Sequence, residues 1–310
     1  MSKKLLIRIV AGILLSAVII YFTIRAIGGL NPYWLLSANI NWGLAVFSVV
    51  LFAFSVFVRA MVYPFGINKQ IGVMEAFRIV AIGNAANMVL PIRAGELLRI
   101  ALFPQSFSPS KRTWLVTVPA AADMLAIFSI SELALPVSGF HNPTIVSALH
   151  IASSVILFAI IVLLILLFSV QRFKLTAEHF VKGSVFKMSL WVFFSWFVML
   201  ASIIFGLMAY GYNASQSVLM SFAIFASTNI VMLIPSTPGG IGLFEYGVVL
   251  GLEGFGITKF PAKEVGMLLH LIQYAALLPL GAWLYLYGIR RGHGDRHAAK
   301  PHRFHSMALK

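Results

Sequence analysis

Arg93, Glu96 and Arg99 recur at three-residue intervals behind Pro91, a spacing that keeps side chains within one sector of a helix. Asn84 and Asn87 precede them, so a short segment carries two guanidiniums, a carboxylate and two amides. Guanidinium binds phosphate oxygens as a bidentate fork, which makes a phosphate-bearing group the natural ligand of such a cluster. The alternative is that Glu96 neutralises one arginine while the other extends to an aqueous surface. A second cluster is Pro235-Ser-Thr-Pro-Gly-Gly-Ile-Gly242, followed by Glu245 and Tyr246. Gly239, Gly240 and Gly242 could turn their N–H groups inward as an anion-binding nest at the start of a helix. Glu245 would then lie in the first helical turn, where the dipole favours a carboxylate whether or not it also takes up a coupling proton. Asn229, just ahead of the break, is a further polar lining residue or an interhelical hydrogen-bonding group.

Asp123 stands alone in the middle of an apolar run. It reads as the partner of Arg93 or Arg99, as a proton carrier, or as half of a structural ion pair. Glu132, nine positions on, falls on another face of the same helix. Arg59, near the end of an apolar run, reads as snorkelling to the surface. His270, Gln273 and Tyr274 form a polar stripe of the kind that packs helices together. No HExxH, Walker-type or GxSxG pattern occurs, so no residue is assigned a catalytic role, and no cofactor or metal is expected.

These residues need elements to hold them, and the composition says which. Of 310 residues, 60% are hydrophobic and only 10% charged, and the mean hydropathy is +0.93. A water-soluble domain carries roughly 25% charged residues, so a soluble enzyme is excluded. Runs such as VILFAIIVLLILLFSV do not alternate, which excludes a transmembrane β-barrel and leaves membrane-spanning helices of about 20 residues. Residues 5–27, 43–64, 113–135, 144–170, 188–210 and 265–289 predict spans. The apolar stretches 73–103 and 217–252 are each interrupted at mid-length by proline and glycine, which predicts helical hairpins that enter the membrane and return. The absence of cysteine excludes disulfides and thiolate chemistry.

Lysine and arginine orient this scheme, since they concentrate in cytoplasmic loops. With the N-terminus inside, Lys3, Lys4, Lys69, Lys111 and Arg112 all fall on the cytoplasmic side. The 171–187 loop and the basic tail 290–310 fall there too. The outer loops hold Lys259 and Lys263. That places the chain in the cell membrane with both termini cytoplasmic and accounts for most of the net charge of +14 without nucleic acid. The His-containing tail reads as a solvated cationic segment near anionic lipid. The two halves of the membrane domain 1–289, residues 1–135 and 144–289, then have opposite orientations. Met88-Val-Leu-Pro91-x-x-x-Gly95 also aligns with Met232-Leu-Ile-Pro235-x-x-x-Gly239. The fold expected is an all-α polytopic membrane protein with about six transmembrane helices, two opposed re-entrant hairpins and an inverted repeat, a plan that sets a substrate site between broken helices.

GNAANMVLPIRAGELLRI and LIPSTPGGIGLFEYGVV resemble the two signature stretches of the lysylphosphatidylglycerol synthase transmembrane-region family, the flippase portion of the multiple peptide resistance factor, which also occurs in stand-alone form. The matched positions are Asn87, Pro91, Arg93, Gly95, Glu96, Arg99, Pro235, Pro238, Gly239, Gly240, Gly242 and Glu245. Relatives often show a Glu-Arg pair just ahead of the mid-span aspartate, where this chain has VPAAADML. The resemblance implies a flippase or scramblase moving a phospholipid, or an aminoacylated or glycosylated lipid, between leaflets. Its substrate-binding and translocation residues would be Asn84, Asn87, Arg93, Glu96, Arg99, Asp123, Asn229, Gly239, Gly240, Gly242 and Glu245. Its partners would be membrane lipids with anionic or phosphate-bearing head groups, with a second copy of the chain and a separate lipid-modifying enzyme as further candidates. A membrane-embedded lipid-modifying transferase and a small-anion secondary transporter are the rival readings.

Overall fold

The computed structural model describes residues 39–90, 94–134, 184–232 and 238–298, with scattered positions between 143 and 159. The expected spans at 5–27 and, for the most part, 144–170 lie outside these residues, as do Pro91, Arg93 and Pro235. The described residues form helices and connecting turns. These are α1 (Trp42–Ala60), α2 (Val73–Val89), α3 (Gly95–Leu102), α4 (Pro109–Ala134), α5 (Ser184–Tyr210), α6 (Ala214–Val231), α7 (Leu243–Glu253) and α8 (Lys259–Ala298). Among the described residues, five stretches are long and apolar enough to cross a membrane: Trp42–Ile67, Pro109–Leu133, Phe186–Tyr210, Ala214–Val231 and Lys259–Gly288. The chain is therefore a multi-pass helical membrane protein.

The boundaries follow local chemistry. Asn41 starts α1 by accepting a hydrogen bond from the Leu44 N–H at 3.2 Å, and Asn213 starts α6 the same way through Gln216 at 2.9 Å. Each supplies one of the acceptors that the free N–H groups of a first turn require. α1 passes into a π-helical turn, Val62–Ile67, around Pro64, where the missing proline N–H forbids the regular ladder. Two expectations change at the ends. Ala214–Val231, read as one arm of a hairpin, is by itself long enough to cross. The last helix continues in its backbone to Ala298, through residues assigned to the tail.

α1 and α5 run antiparallel and pack along their whole length. Asn41 N–H donates to Ala209 O at one end, and Gly66 lies against the Met188 backbone at the other. Midway, Ser48 Oγ donates to Ser202 O at 2.6 Å and Ser202 Oγ donates to Ser48 O at 2.8 Å. In an apolar layer these reciprocal bonds satisfy hydroxyls that would otherwise cost free energy. The arms α2 and α3 pack on each other, as do α6 and α7. Most of the other helix contacts come in matching sets. α4 lies against α6 as α8 lies against α2, and α4 touches α5 as α8 touches α1. α2 leans on α1 as α6 leans on α5, and α3 meets α4 as α7 meets α8. Because α1 and α5 are antiparallel, the loops leading into α2 and α6 leave from opposite ends of the bundle. The two breaks meet between them, with α2 touching the 3-10 turn Pro238–Gly240.

Candidate functional site

A cavity of about 550 Å³ opens where the two broken segments meet. Asn84, Asn87, Glu96 and Arg99 line it from α2 and α3; Asn229, Gly239 and Gly240 from the second pair; Arg59, Asp123 and Trp196 from α1, α4 and α5. Phe52, Val56, Ile127, Phe128 and Leu277 supply apolar wall. The site is thus a polar pocket with an oily rim, assembled from seven helices and the 3-10 turn.

The first pair of arms is tied together through Asn87. Its Oδ1 accepts from the Gly95 N–H at 2.8 Å, and its Nδ2 donates to Glu96 Oε1 at 3.4 Å. Gly95 is required for this approach, since a Cβ there would run into the Gly83 carbonyl and the Asn87 side chain. Arg99 donates to Glu96 Oε2 at 3.0 Å and to Asn84 Oδ1, so the three-residue spacing has produced the local ion pair it allowed. The Nε edge of Arg99 is buried against Gly83 of α2. Arg93 falls outside the described residues.

Asp123 is paired, but with neither arginine proposed for it. Its Oδ2 forms an ion pair with Arg59 Nη2, and its Oδ1 accepts from Trp196 Nε1–H at 2.8 Å. Arg59 does not snorkel. The helix runs on past it through the π-turn to Ile67, so Arg59 lies within the span and at the cavity, with its side chain only 17% exposed, against 20% for Asp123. At this depth a charge needs a partner, and the aspartate on α4 is the one within reach. Glu132, as its spacing implies, points elsewhere and pairs with His150 at 3.0 Å.

In the second pair, Asn229 lines the cavity, and its Nδ2 donates to Phe225 O of its own helix at 2.8 Å. Gly239, Gly240 and Gly242 have φ of 65°, 72° and 91°, the left-handed region that glycine enters without steric cost. Gly239 and Gly240 face the cavity, whereas Gly242 and Glu245 stand behind them, off its lining. The Glu245 carboxylate accepts from the Gly242 N–H at 2.6 Å, which caps α7. Its other oxygen is 2.6 Å from His270 Nδ1, and His270 Nε2 donates to Gly239 O at 3.0 Å. His270 is therefore not part of a generic packing stripe. It is buried, and so is Glu245.

Of the residues singled out from sequence, Asn84, Asn87, Glu96, Arg99, Asp123, Asn229, Gly239 and Gly240 converge on one cavity. Sequence reasoning missed Arg59, Trp196 and His270. Arg59 carried a usable signal: it is the one charged residue within the apolar run 43–64. Trp196 carried none, because a tryptophan in an apolar helix is ordinary.

A family model described as the lysylphosphatidylglycerol synthase TM region matches residues 9–281, which contain both broken segments and all of the cavity lining. No curated protein and no solved structure matches the chain. On the extent of that match, the chain belongs to the lysylphosphatidylglycerol synthase transmembrane-region family.

Proposed function

We propose that the protein is a lipid flippase or scramblase whose cavity carries a phosphate-bearing head group while the acyl tails stay in the bilayer. The observation that supports this most is the make-up of the cavity: two guanidiniums, Arg59 and Arg99, and two carboxylates, Glu96 and Asp123, face one space with an apolar wall. Phosphate oxygens take the place of Glu96 at Arg99, or of Asp123 at Arg59. The carboxylates released in this exchange receive an ammonium where the head group carries one. Arg93, on the same segment as Arg99, acts with it. Asn84, Asn87 and Asn229 supply neutral bonds along the path, and Gly239 and Gly240 let the backbone come close.

The architecture proposed is six spans with two hairpins re-entering from opposite membrane faces, related as an inverted repeat, with both termini cytoplasmic in the cell membrane. The matching helix contacts and the meeting of the two breaks support it, and the arrangement is that of carriers whose site lies at the midplane between halves. Transport runs downhill or coupled to an ion.

Leaflet exchange of fluorescent phospholipids in proteoliposomes tests the function. The native protein is expected to exchange them at least about tenfold faster than Arg99→Ala or Asp123→Ala, a difference of roughly 1.4 kcal/mol in barrier. No exchange by folded native protein across anionic and zwitterionic lipids would sink the proposal. Conversion of labelled lipid to a new product would then favour a transferase, and uptake of a soluble anion a small-anion carrier.

A further inference from the structure

His270 lies between two acceptors. Nδ1 is 2.6 Å from Glu245 Oε1, and Nε2 is 3.0 Å from the Gly239 carbonyl oxygen. A carbonyl oxygen only accepts, so Nε2 carries a proton; a carboxylate oxygen at 2.6 Å requires a second proton between it and Nδ1. The pair therefore holds one proton more than an ionised glutamate beside a neutral imidazole. If that proton leaves, the ring retains one N–H for two acceptors. Kept at Nδ1, it sets the Nε2 lone pair against the carbonyl oxygen at 3.0 Å; kept at Nε2, it sets Nδ1 against the carboxylate. Either arrangement is repulsive, and the Gly239 contact is the one that can yield, because Glu245 is also held by the Gly242 N–H.

Gly239 is where the two broken segments touch. A Cβ placed on it would come 3.1 Å from Met88 O, at the end of α2, and would strike the Tyr274 hydroxyl. The Tyr274 hydroxyl reaches Met88 O at 3.5 Å, and its ring packs on His270 with centroids 4.9 Å apart. Phe244 covers the imidazole from α7 at 4.9 Å. Glu245 on α7 and Tyr274 on α8 are the titratable groups that the described contacts place against the imidazole. α2 brings Arg78 to α8 only at Gly288, about five turns further on. α5 brings Tyr210 to Glu264, nearly two turns back. Arg59 of α1 is engaged by Asp123.

We propose that His270 and Glu245 form a proton-binding site that latches the second hairpin tip to α8, where it rests against the end of α2, so that release of its proton frees Gly239 and opens the cavity between the tips. This rests on the reading of the cavity as a lipid path, and it assigns the coupling ion as a proton.

The test uses the cysteine-free full chain in nanodiscs, with one cysteine in place of Met88, which lines the cavity at the seam. Its labelling by a small water-soluble thiol reagent is followed between about pH 5 and pH 9, the range over which histidines in proteins titrate. A cysteine in place of the exposed Ser110 corrects for the intrinsic rise in thiolate. The corrected rate at Met88→Cys is expected to rise at least about tenfold with pH, as for loss of a contact worth roughly 1.4 kcal/mol. His270→Gln, which retains an amide N–H donor but cannot titrate, is expected to abolish the pH dependence. A corrected rate that stays flat in the native background, or that rises equally in His270→Gln, overturns the latch. Should His270→Gln fail to fold, the native-background measurement decides by itself. Lipid exchange is measured in parallel. Absence of exchange with pH-dependent labelling intact rejects the lipid path and leaves the latch; exchange with pH-independent labelling rejects the latch and leaves the path.

Discussion

Asp123 satisfies two donors on different helices, and that double engagement gives it more weight than its position alone. Removing Arg59 leaves a carboxylate with only the Trp196 indole N–H; removing Asp123 leaves a guanidinium with no acid partner among its described contacts. Breaking a fully buried ion pair costs about 3 to 5 kcal/mol. Here both side chains retain some exposure, so each of Arg59→Ala and Asp123→Ala is expected to cost about 1 to 3 kcal/mol in unfolding measured in detergent. The double variant should lose less than the sum of the two by at least about 1 kcal/mol, the signature of direct coupling. Strict additivity would show that the pair contributes nothing as a pair. Trp196→Phe retains the ring packing on Phe225, centroids 5.4 Å apart, and removes only the donor. It is expected to slow lipid exchange while changing stability by no more than about 1.5 kcal/mol, the net value of a hydrogen bond.

Elements in this protein approach one another through glycine. A Cβ on Gly247 would come 2.7 Å from Thr228 Cα, and one on Gly251 would come 2.9 Å from Ile224 Cα, so α6 and α7 are in backbone contact. The same closeness lets Ser227 Oγ donate to Gly247 O at 2.7 Å across the pair. Gly247→Ala and Gly95→Ala are each expected to lower stability by about 1 to 3 kcal/mol, the usual cost of overpacking. Gly72→Ala is the comparison, because nothing lies within 4 Å of a Cβ there. Its effect should stay within about 1 kcal/mol, since cap preference and chain entropy oppose each other. A Gly95→Ala protein as stable as Gly72→Ala would mean that α2 and α3 are not held at this separation. Thermal unfolding of the three variants in one detergent separates these outcomes.

At the scale of the whole molecule, the question is which face of the membrane each hairpin enters. Single cysteines at Gln105 and Gly183 are expected to label only from inside, and those at Ser138 and Gly256 only from outside, in right-side-out and inverted vesicles. Labelling of Gln105 from outside would mean that the first broken segment crosses. Labelling of Gly256 from inside would mean that α6, which is long enough for it, crosses instead of turning back. α7, with 11 residues, spans only about 16 Å and cannot cross a hydrocarbon core of about 30 Å by itself.

Hydropathy and its interruptions are local properties, and they alone determined the helical membrane class, the spans at 43–64, 113–135, 188–210 and 265–289, and the two breaks. Arg99 paired with Glu96, three positions away, because helical spacing dictates such neighbours. Of the eleven residues chosen from sequence as candidates, eight line one cavity; six of those are polar groups within apolar runs, where such groups have few other reasons to be. Tertiary structure decided which of them meet. Asp123 took Arg59, a residue on another helix, and His270 took Glu245 and the Gly239 carbonyl of the second hairpin. Those choices depend on how α1, α4, α7 and α8 cross, and crossings are set by close backbone approaches at glycine and by the packing of apolar surfaces. A buried charge selects the nearest partner that the packing leaves within a few ångströms, since Coulomb attraction in a low-dielectric interior falls off with distance and an unpaired charge there is costly.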